Sequence, residues 1–354
     1  MLRILWLAIF LACPFAYAQN PPPILAPATP PPPPPPPKAA GQQAPSNRLR
    51  SESDLVVLHV TVADDRGAFV PELKEGNFRI FEQNIEQKIS VFSQDDIPVT
   101  MGLVIDNSGS MREKREQVNA AAMTFVRTSN PQDEAFVVNF NDEYYLDTEG
   151  EFTSDQRNLN DALSRIDTRG STALYDALIG SLDHLKKGHK DKRVLLLVTD
   201  GDDDASSKTL EDAMKAAQQS SATIYAVGVF SEDDRKNDKK MVRHSRKVLT
   251  ELAAATGGLA YFPDSLSEVT PICEQVAREI RNQYTLGYYP VNTARDGTFR
   301  TVQVKVIPPN GRGKLSVRTR TGYYAPTSTA AEASSTAQPL TASADPSSTP
   351  ASLR

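Results

Sequence analysis

Thr100 to Ile105 is an apolar run, Thr-Met-Gly-Leu-Val-Ile, that stops at Asp106-Asn107-Ser108-Gly109-Ser110. A run this short, bounded by turn residues, reads as a strand buried on both faces of a parallel sheet. Met111 to Thr128 follows with Val118, Ala121, Ala122, Phe125 and Val126 at helical spacing. The polar residues therefore occupy a strand-to-helix loop, and in open α/β sheets ligands bind at such loops, beyond the carboxyl ends of the strands. Gly109 lets the backbone bend tightly, so Asp106, Ser108 and Ser110 can turn their oxygens toward one point. Three oxygens on one short loop suit a hard divalent cation. Magnesium in particular takes a near-octahedral oxygen shell at about 2.0–2.1 Å.

Two later stretches add to the loop. Arg193 to Thr199 is a second buried strand, closed by Asp200 and the turn residue Gly201, and Gly170-Ser171-Thr172 sets a hydroxyl just before a helix. An Asp-x-Ser-x-Ser, then a Gly-x-Thr, then a Thr-Asp-Gly, in this order, resembles the metal-ion-dependent adhesion site of von Willebrand factor A domains. The strand Ile224 to Val229 is also similar to that family's late strand, and the resemblance covers roughly Pro98 to Asn282. It implies that Asp106, Ser108, Ser110, Thr172 and Asp200 hold a metal ion, directly or through water. It names magnesium first, with manganese and calcium as alternatives. It also implies a protein partner whose Asp or Glu carboxylate completes the coordination, with no bond broken. The competing reading is an Asp-Ser turn that merely caps a helix.

The rest of the middle supports an α/β fold. Helical faces recur as Leu159, Leu163 and Ile166; Leu174, Ala177, Leu178, Leu182 and Leu185; and Leu210, Ala213, Met214 and Ala217. Strands are expected at Ala135 to Phe140, Val194 to Thr199, Thr223 to Phe230 and Gly258 to Phe262. Such alternation predicts a Rossmann-like, doubly wound, mostly parallel sheet covered by helices on both faces.

The flanks alternate with period two instead. Before the α/β segment, Leu58, Val60 and Val62 alternate with His59 and Thr61, with further short strands around Ile80 and Val91 and turns at Asp65-Arg66-Gly67 and Gln83-Asn84. After a helix over 267–282, strands are expected at Tyr284 to Tyr289, Val302 to Val306 and Leu315 to Tyr323, the last two joined by Pro308-Pro309-Asn310-Gly311. Few strands on either side make a poor core alone. Both flanks are therefore expected to combine into one small antiparallel β-sandwich into which the A domain is inserted, two separate β-modules being the alternative. The expected boundaries are 1–18 signal peptide, 19–50 proline-rich linker, 51–97 first sandwich part, 98–282 A domain, 283–326 second sandwich part and 327–354 disordered tail. This layout, with a Val-x-Asp-Asp-x-Gly flank and a Gly322-Tyr323-Tyr324-Ala325-Pro326 close, resembles the secreted A-domain proteins recurrent in Acidobacteria.

Met1 to Ala18 carries Arg3, an apolar core over Ile4 to Ala12 and the small-x-small ending Ala16-Tyr17-Ala18. That is the anatomy of a secretory signal cleaved after Ala18, and its core is too short to span a bilayer. It predicts a secreted, periplasmic or envelope protein with no other membrane-spanning run. A lipoprotein signal cut before Cys13 is the competing reading. Pro30 to Pro37 is an unbroken proline run that acts as a semi-rigid spacer. Loss of Cys13 leaves Cys273, on a helical face with Val269, Ile272, Val276 and Ile280, as a core residue. A net charge of -5 offers no basic footprint for nucleic acid. Oligomeric state is not legible.

Asp202-Asp203-Asp204 directly follows Asp200 and reads as a solvated acidic loop, a second calcium-like site being the alternative. With Asp106 and Asp200 as the only charged groups near the ion, the cation keeps an open position. An enzyme, such as a metal-assisted hydrolase, would need a base or nucleophile beside the metal. His184, His189 and His244 fall away from the motif loops, His59 reads as a surface residue, and no nucleophile-elbow, His-Glu-x-x-His or phosphate-loop motif is present. The expectation is a binding protein and not an enzyme, with a structural scaffold that binds through its β-domain as the further alternative. Because the 267–282 helix runs straight into Tyr284, sliding of that helix would couple partner binding to the β-domain.

Overall fold

The computed structural model describes residues 55–128, 130–165, 168–309 and 313–327. The expected signal peptide, proline-rich linker and C-terminal tail lie outside the described residues, apart from Thr327. The central sheet is built from β5 (Val99–Asp106), β6 (Glu134–Phe140), β7 (Tyr144–Leu146), β8 (Lys192–Thr199), β9 (Thr223–Gly228) and β10 (Ala260–Tyr261), in the order β10-β9-β8-β5-β6-β7. All pairings are parallel except β6 with β7. Every residue of β5 is buried, which is why this segment reads as a continuous apolar run and not as an alternation.

Among the described residues there are seven α-helices: α1 (Arg115–Arg127), α2 (Gln156–Leu163), α3 (Leu174–Leu185), α4 (Leu210–Gln219), α5 (Glu232–Asn237), α6 (Lys239–Thr256) and α7 (Val269–Arg281). One apolar layer joins Leu103, Ile105 and Leu196 of the sheet to Phe125, Leu159 and Val276 of α1, α2 and α7. The other joins Val104, Leu195 and Leu197 to Leu178, Ala213 and Leu249 of α3, α4 and α6. The doubly wound expectation thus holds, and Cys273 is fully buried in the first layer, where burial raises its thiol to about 12.

The flanks form two antiparallel four-stranded sheets. The first runs β13 (Ser316–Arg318), β1 (Val56–Ala63), β11 (Tyr284–Tyr288), β4 (Ile89–Ser93), and the second runs β14 (Gly322–Tyr324), β12 (Phe299–Val306), β2 (Phe78–Glu82), β3 (Ile85–Gln87). Each sheet mixes strands from before and after the α/β segment. Their shared core takes Leu58, Phe78 and Ile80 from one side and Tyr284, Leu286 and Val304 from the other. The hydroxyls of Tyr288 and Tyr323 both donate to Glu82 Oε2 at 2.8 Å, and Arg300 lies 3.6 Å from the same carboxylate. This buried polar knot joins the two sheets. Gln83 and Asn84, with φ of 47° and 66°, form the tight turn between β2 and β3.

Two expectations are corrected and two elements are added. The strand expected over 315–323 is two strands in different sheets: Thr321 N–H bonds Ala255 O and Arg320 bonds Gln218 O at the ends of α6 and α4, which draws the chain from one sheet to the other. The antiparallel edge strand β7 and the long helix α6 are additional. His59 is not a surface residue: it is half-buried, and burial, with Lys192 and Arg320 nearby, depresses its imidazole to about 3.

Candidate functional site

The chain winds from β5 outward through β6 and β7, then returns to the other side of β5 with β8, β9 and β10. β5 and β8 therefore flank the point where strand order reverses, and in open α/β sheets ligands bind beyond the carboxyl ends of the strands at such a point. Asp106 ends β5 and Asp200 follows β8, so both carboxylates are delivered to that rim by backbone register alone.

Asp106 is fully buried. Its Oδ1 accepts the Ser108 N–H at 2.8 Å and its Oδ2 accepts the Thr199 hydroxyl at 2.6 Å. Burial, and next the charge of Asp200, raise Asp106 to about 6, against those two hydrogen bonds. Ser108 Oγ and Ser110 Oγ share a hydrogen bond of 3.1 Å, and the Ser110 hydroxyl donates to Asp200 Oδ1 at 2.8 Å. Four of the five residues singled out in the sequence thus form one chain of contacts.

Thr172 reaches the same rim by a different route. Gly109 N–H bonds Gly170 O at 3.1 Å, which ties the serine loop to the threonine loop. A Cβ on Gly201, the residue after Asp200, would stand 3.5 Å from Thr172 Oγ1. Gly170 has φ of +78°, and a Cβ there would fall 2.1 Å from Asp142 Oδ2, so the loop needs a glycine on both counts. Asp142 in turn accepts the Ser171 N–H at 2.9 Å.

The acidic run is more than a solvated loop. Asp204 Oδ1 accepts the Thr172 N–H at 2.6 Å and Asp203 Oδ1 accepts the Tyr175 N–H at 3.1 Å, satisfying amides at the start of α3 and fixing the turn that carries Thr172. Nor are Asp106 and Asp200 the only charged groups at the rim. Lys114, only 7% exposed, donates its ammonium to Asp200 Oδ2 and lies 3.8 Å from Asp234 Oδ2. His244 also approaches, with Nε2 3.6 Å from Asp202 Oδ1, whereas His184 and His189 contact Glu151 O and Glu134. Asn107 points the other way, its amide donating to Asn139 Oδ1 at 2.8 Å, and so pegs the loop to β6.

Two carboxylates and three hydroxyls are a donor set for a hard, oxygen-seeking cation, and a cation there would offset the burial and the Asp200 charge that raise Asp106. Among the described residues there is no group of three or more His, Cys, Asp or Glu side chains suited to a metal, so a cation here relies on the hydroxyls. Lys114 carried no signal in the sequence, and Thr199, Asp203 and Asp204 were visible there only as part of the Thr-Asp-Gly motif and of an acidic run.

Among curated proteins none matches the sequence. Solved structures include similar folds. Proximal thread matrix protein 1 from the mussel byssus is 14% identical with a TM-score of 0.42, over 52% of this chain and 49% of that one, so the chain spans about half of the mussel protein's length. A von Willebrand factor type A protein from Catenulispora acidiphila is 13% identical with a TM-score of 0.45, over 79% and 75%. The vWF domain of the type V pili tip protein Mfa5 from Porphyromonas gingivalis is 12% identical with a TM-score of 0.43, over 52% and 95%. Among the described residues no helix is long and apolar enough to cross a membrane. The family model of the von Willebrand factor type A domain matches residues 101–202, a span that begins in β5, ends just past Asp200 and includes all five candidate ligands. The chain therefore contains a von Willebrand factor type A domain.

Proposed function

We propose that this protein is an adhesion-type binding protein of the cell exterior or envelope, whose A domain grips a partner protein through a divalent cation held by Asp106, Ser108, Ser110, Thr172 and Asp200. The observation that carries the reading is the chain of contacts from Asp106 through Ser108 and Ser110 to Asp200 at the strand-order reversal, with Thr172 clamped on the same rim. A cation held by these residues would attract an Asp or Glu carboxylate of the partner. Magnesium is the first choice, with manganese and calcium as alternatives.

The side chains divide the work. Asp106 and Asp200 provide charge, Ser108, Ser110 and Thr172 provide neutral oxygens, and Thr199 orients Asp106. Lys114 holds Asp200 by its outer oxygen and so competes with a cation for that carboxylate. Binding without catalysis is the favoured reading because the two serines, the nearest hydroxyl nucleophiles, are bonded to each other and to Asp200. The export signal expected in the first 18 residues supports a location outside the cytoplasm. A pull-down from native envelope or culture medium tests the proposal. Capture of a partner that is lost with chelator and in Asp106→Ala supports it; capture indifferent to both points to a scaffold that binds through the β-domain. Ester or phosphate hydrolysis that vanished in Asp106→Ala would instead make it an enzyme.

A further inference from the structure

At the opposite, amino-terminal ends of the parallel strands lies a cavity of about 540 Å³. Its floor comes from residues just before β5, at the start of β8 and before β9 (Ile97, Arg193 and Ser221), and its walls come from β1, β11, β14 and the loop after Pro290. The volume falls within the range of small-molecule sites, and the lining has the usual mixture of apolar surface and a few polar groups. Ile97, Val57, Pro290, Tyr323 and Tyr324 supply the apolar part.

The charge on the lining is one-sided. Arg193, Arg295, Arg300 and Arg320 all face the cavity, against a single acidic residue, Asp191, which is solvent-exposed. Arg300 has carboxylates nearby in Glu82, at 3.6 Å, and Asp296, at 4.0 Å. Arg193 and Arg320 do not. Arg320 donates to two backbone carbonyls, Gly322 O at 2.8 Å and Gln218 O at 2.9 Å. Arg193 donates to Ser221 Oγ at 3.1 Å and Gly188 O at 3.5 Å, and its buried Nε has no acceptor. Among the described residues neither guanidinium is paired with a carboxylate within 4.0 Å. Two half-buried cations without counter-charge are costly unless an anion completes the site. Guanidinium is also the side-chain group best matched to carboxylate and phosphate oxygens. His59 lines the same wall, its imidazole depressed to about 3 by burial first and then by Lys192 and Arg320.

We propose that this cavity binds a small organic anion, a carboxylate or phosphate on an apolar body, with the anionic head between Arg193 and Arg320 and the body against Tyr323, Pro290 and Ile97. Because the cavity lies between the A domain and the sandwich, at the far end of the sheet from Asp106, the site is separate from the metal rim.

The test is calorimetric titration of the whole chain with phenyl phosphate, with benzoate and with neutral benzyl alcohol. The expected result is saturable one-site binding of at least one anion and none of the alcohol. Affinity should fall at least tenfold in Arg193→Gln and in Arg320→Gln and stay unchanged in Asp106→Ala. Which anion binds identifies the head group. Arg193→Gln alone decides the matter if Arg320→Gln does not fold, as judged by circular dichroism. No saturable binding of either anion, equal binding of the alcohol, or affinity unchanged in the arginine variants would overturn the proposal.

Discussion

Thr199 shows how a single hydroxyl conditions the site. It donates to a carboxylate with no solvent contact, so Thr199→Val leaves Asp106 short of a partner. The expected cost is about 1–3 kcal/mol in denaturant titration, together with weaker divalent binding. Lys114 should act in the opposite sense on the cation. Lys114→Met removes a competing charge, so divalent affinity is expected to rise about tenfold in calorimetry, while the metal-free protein loses stability because Asp200 loses its counter-charge. Lys192 gives the pH dependence. Burial, then Arg281, lower its amine to about 7, so between there and its ordinary 10.5 the unfolded chain binds more protons than the folded one. Stability from this group therefore rises as pH climbs through that window, by on the order of a few kcal/mol. The stability advantage of Lys192→Met over the natural protein should accordingly shrink from pH 7 to pH 10, and a constant difference would contradict the account. The five candidate ligands could be picked out in the sequence because Asp106, Ser108, Ser110 and Asp200 sit in short motifs at the ends of apolar runs and Thr172 in a Gly-x-Thr before a helix. Lys114 could not, and the contacts of Thr199, Asp203 and Asp204, which the sequence showed only as part of a motif and of an acidic run, arise only when β8 is laid beside β5 and the acidic loop folds over α3.

Elements were legible where burial imposes a period. The fully buried strand β5, the almost wholly buried β8 and the amphipathic faces of α1 to α4 and α7 stood out. The helix α6 did not, because its apolar positions, Val242, Val248, Leu249 and Leu252, are interleaved with Lys239, Lys240, Arg243, Arg246 and Lys247. The split between β13 and β14 is invisible in the residues alone, since it is caused by bonds to the ends of α4 and α6. The end of α7 is tied to the rest by Glu279, which accepts from the Tyr225 hydroxyl at 2.8 Å, Thr61 at 3.2 Å and Arg318 at 2.7 Å. These partners lie on β9, β1 and β13, so any movement of α7 is felt in both the central sheet and the sandwich. Glu279→Ala is expected to cost about 3 kcal/mol by leaving a largely buried guanidinium and hydroxyls unpaired, with Glu279→Gln milder in the same unfolding assay.

At the scale of the whole molecule, the sandwich core depends on both flanks of the chain. A chain ending at Asn282 lacks Tyr284, Leu286, Tyr288, Val302 and Val304, so residues 55–97 should lose their partners and be cut away in limited proteolysis while the central sheet persists. Resistance of that segment would mean the first flank folds alone. The long-range pairing of β1 with β11 was inferable only because neither flank offers enough strands for a core of its own. The account rests above all on five oxygens from three loops serving one cation at the end of that central sheet. Calorimetric titration of the metal-stripped protein with magnesium and manganese tests this most directly. The account predicts uptake of one ion per chain, lost in Asp106→Ala and weakened in Thr172→Ala; no uptake, or uptake unchanged in both variants, would contradict it.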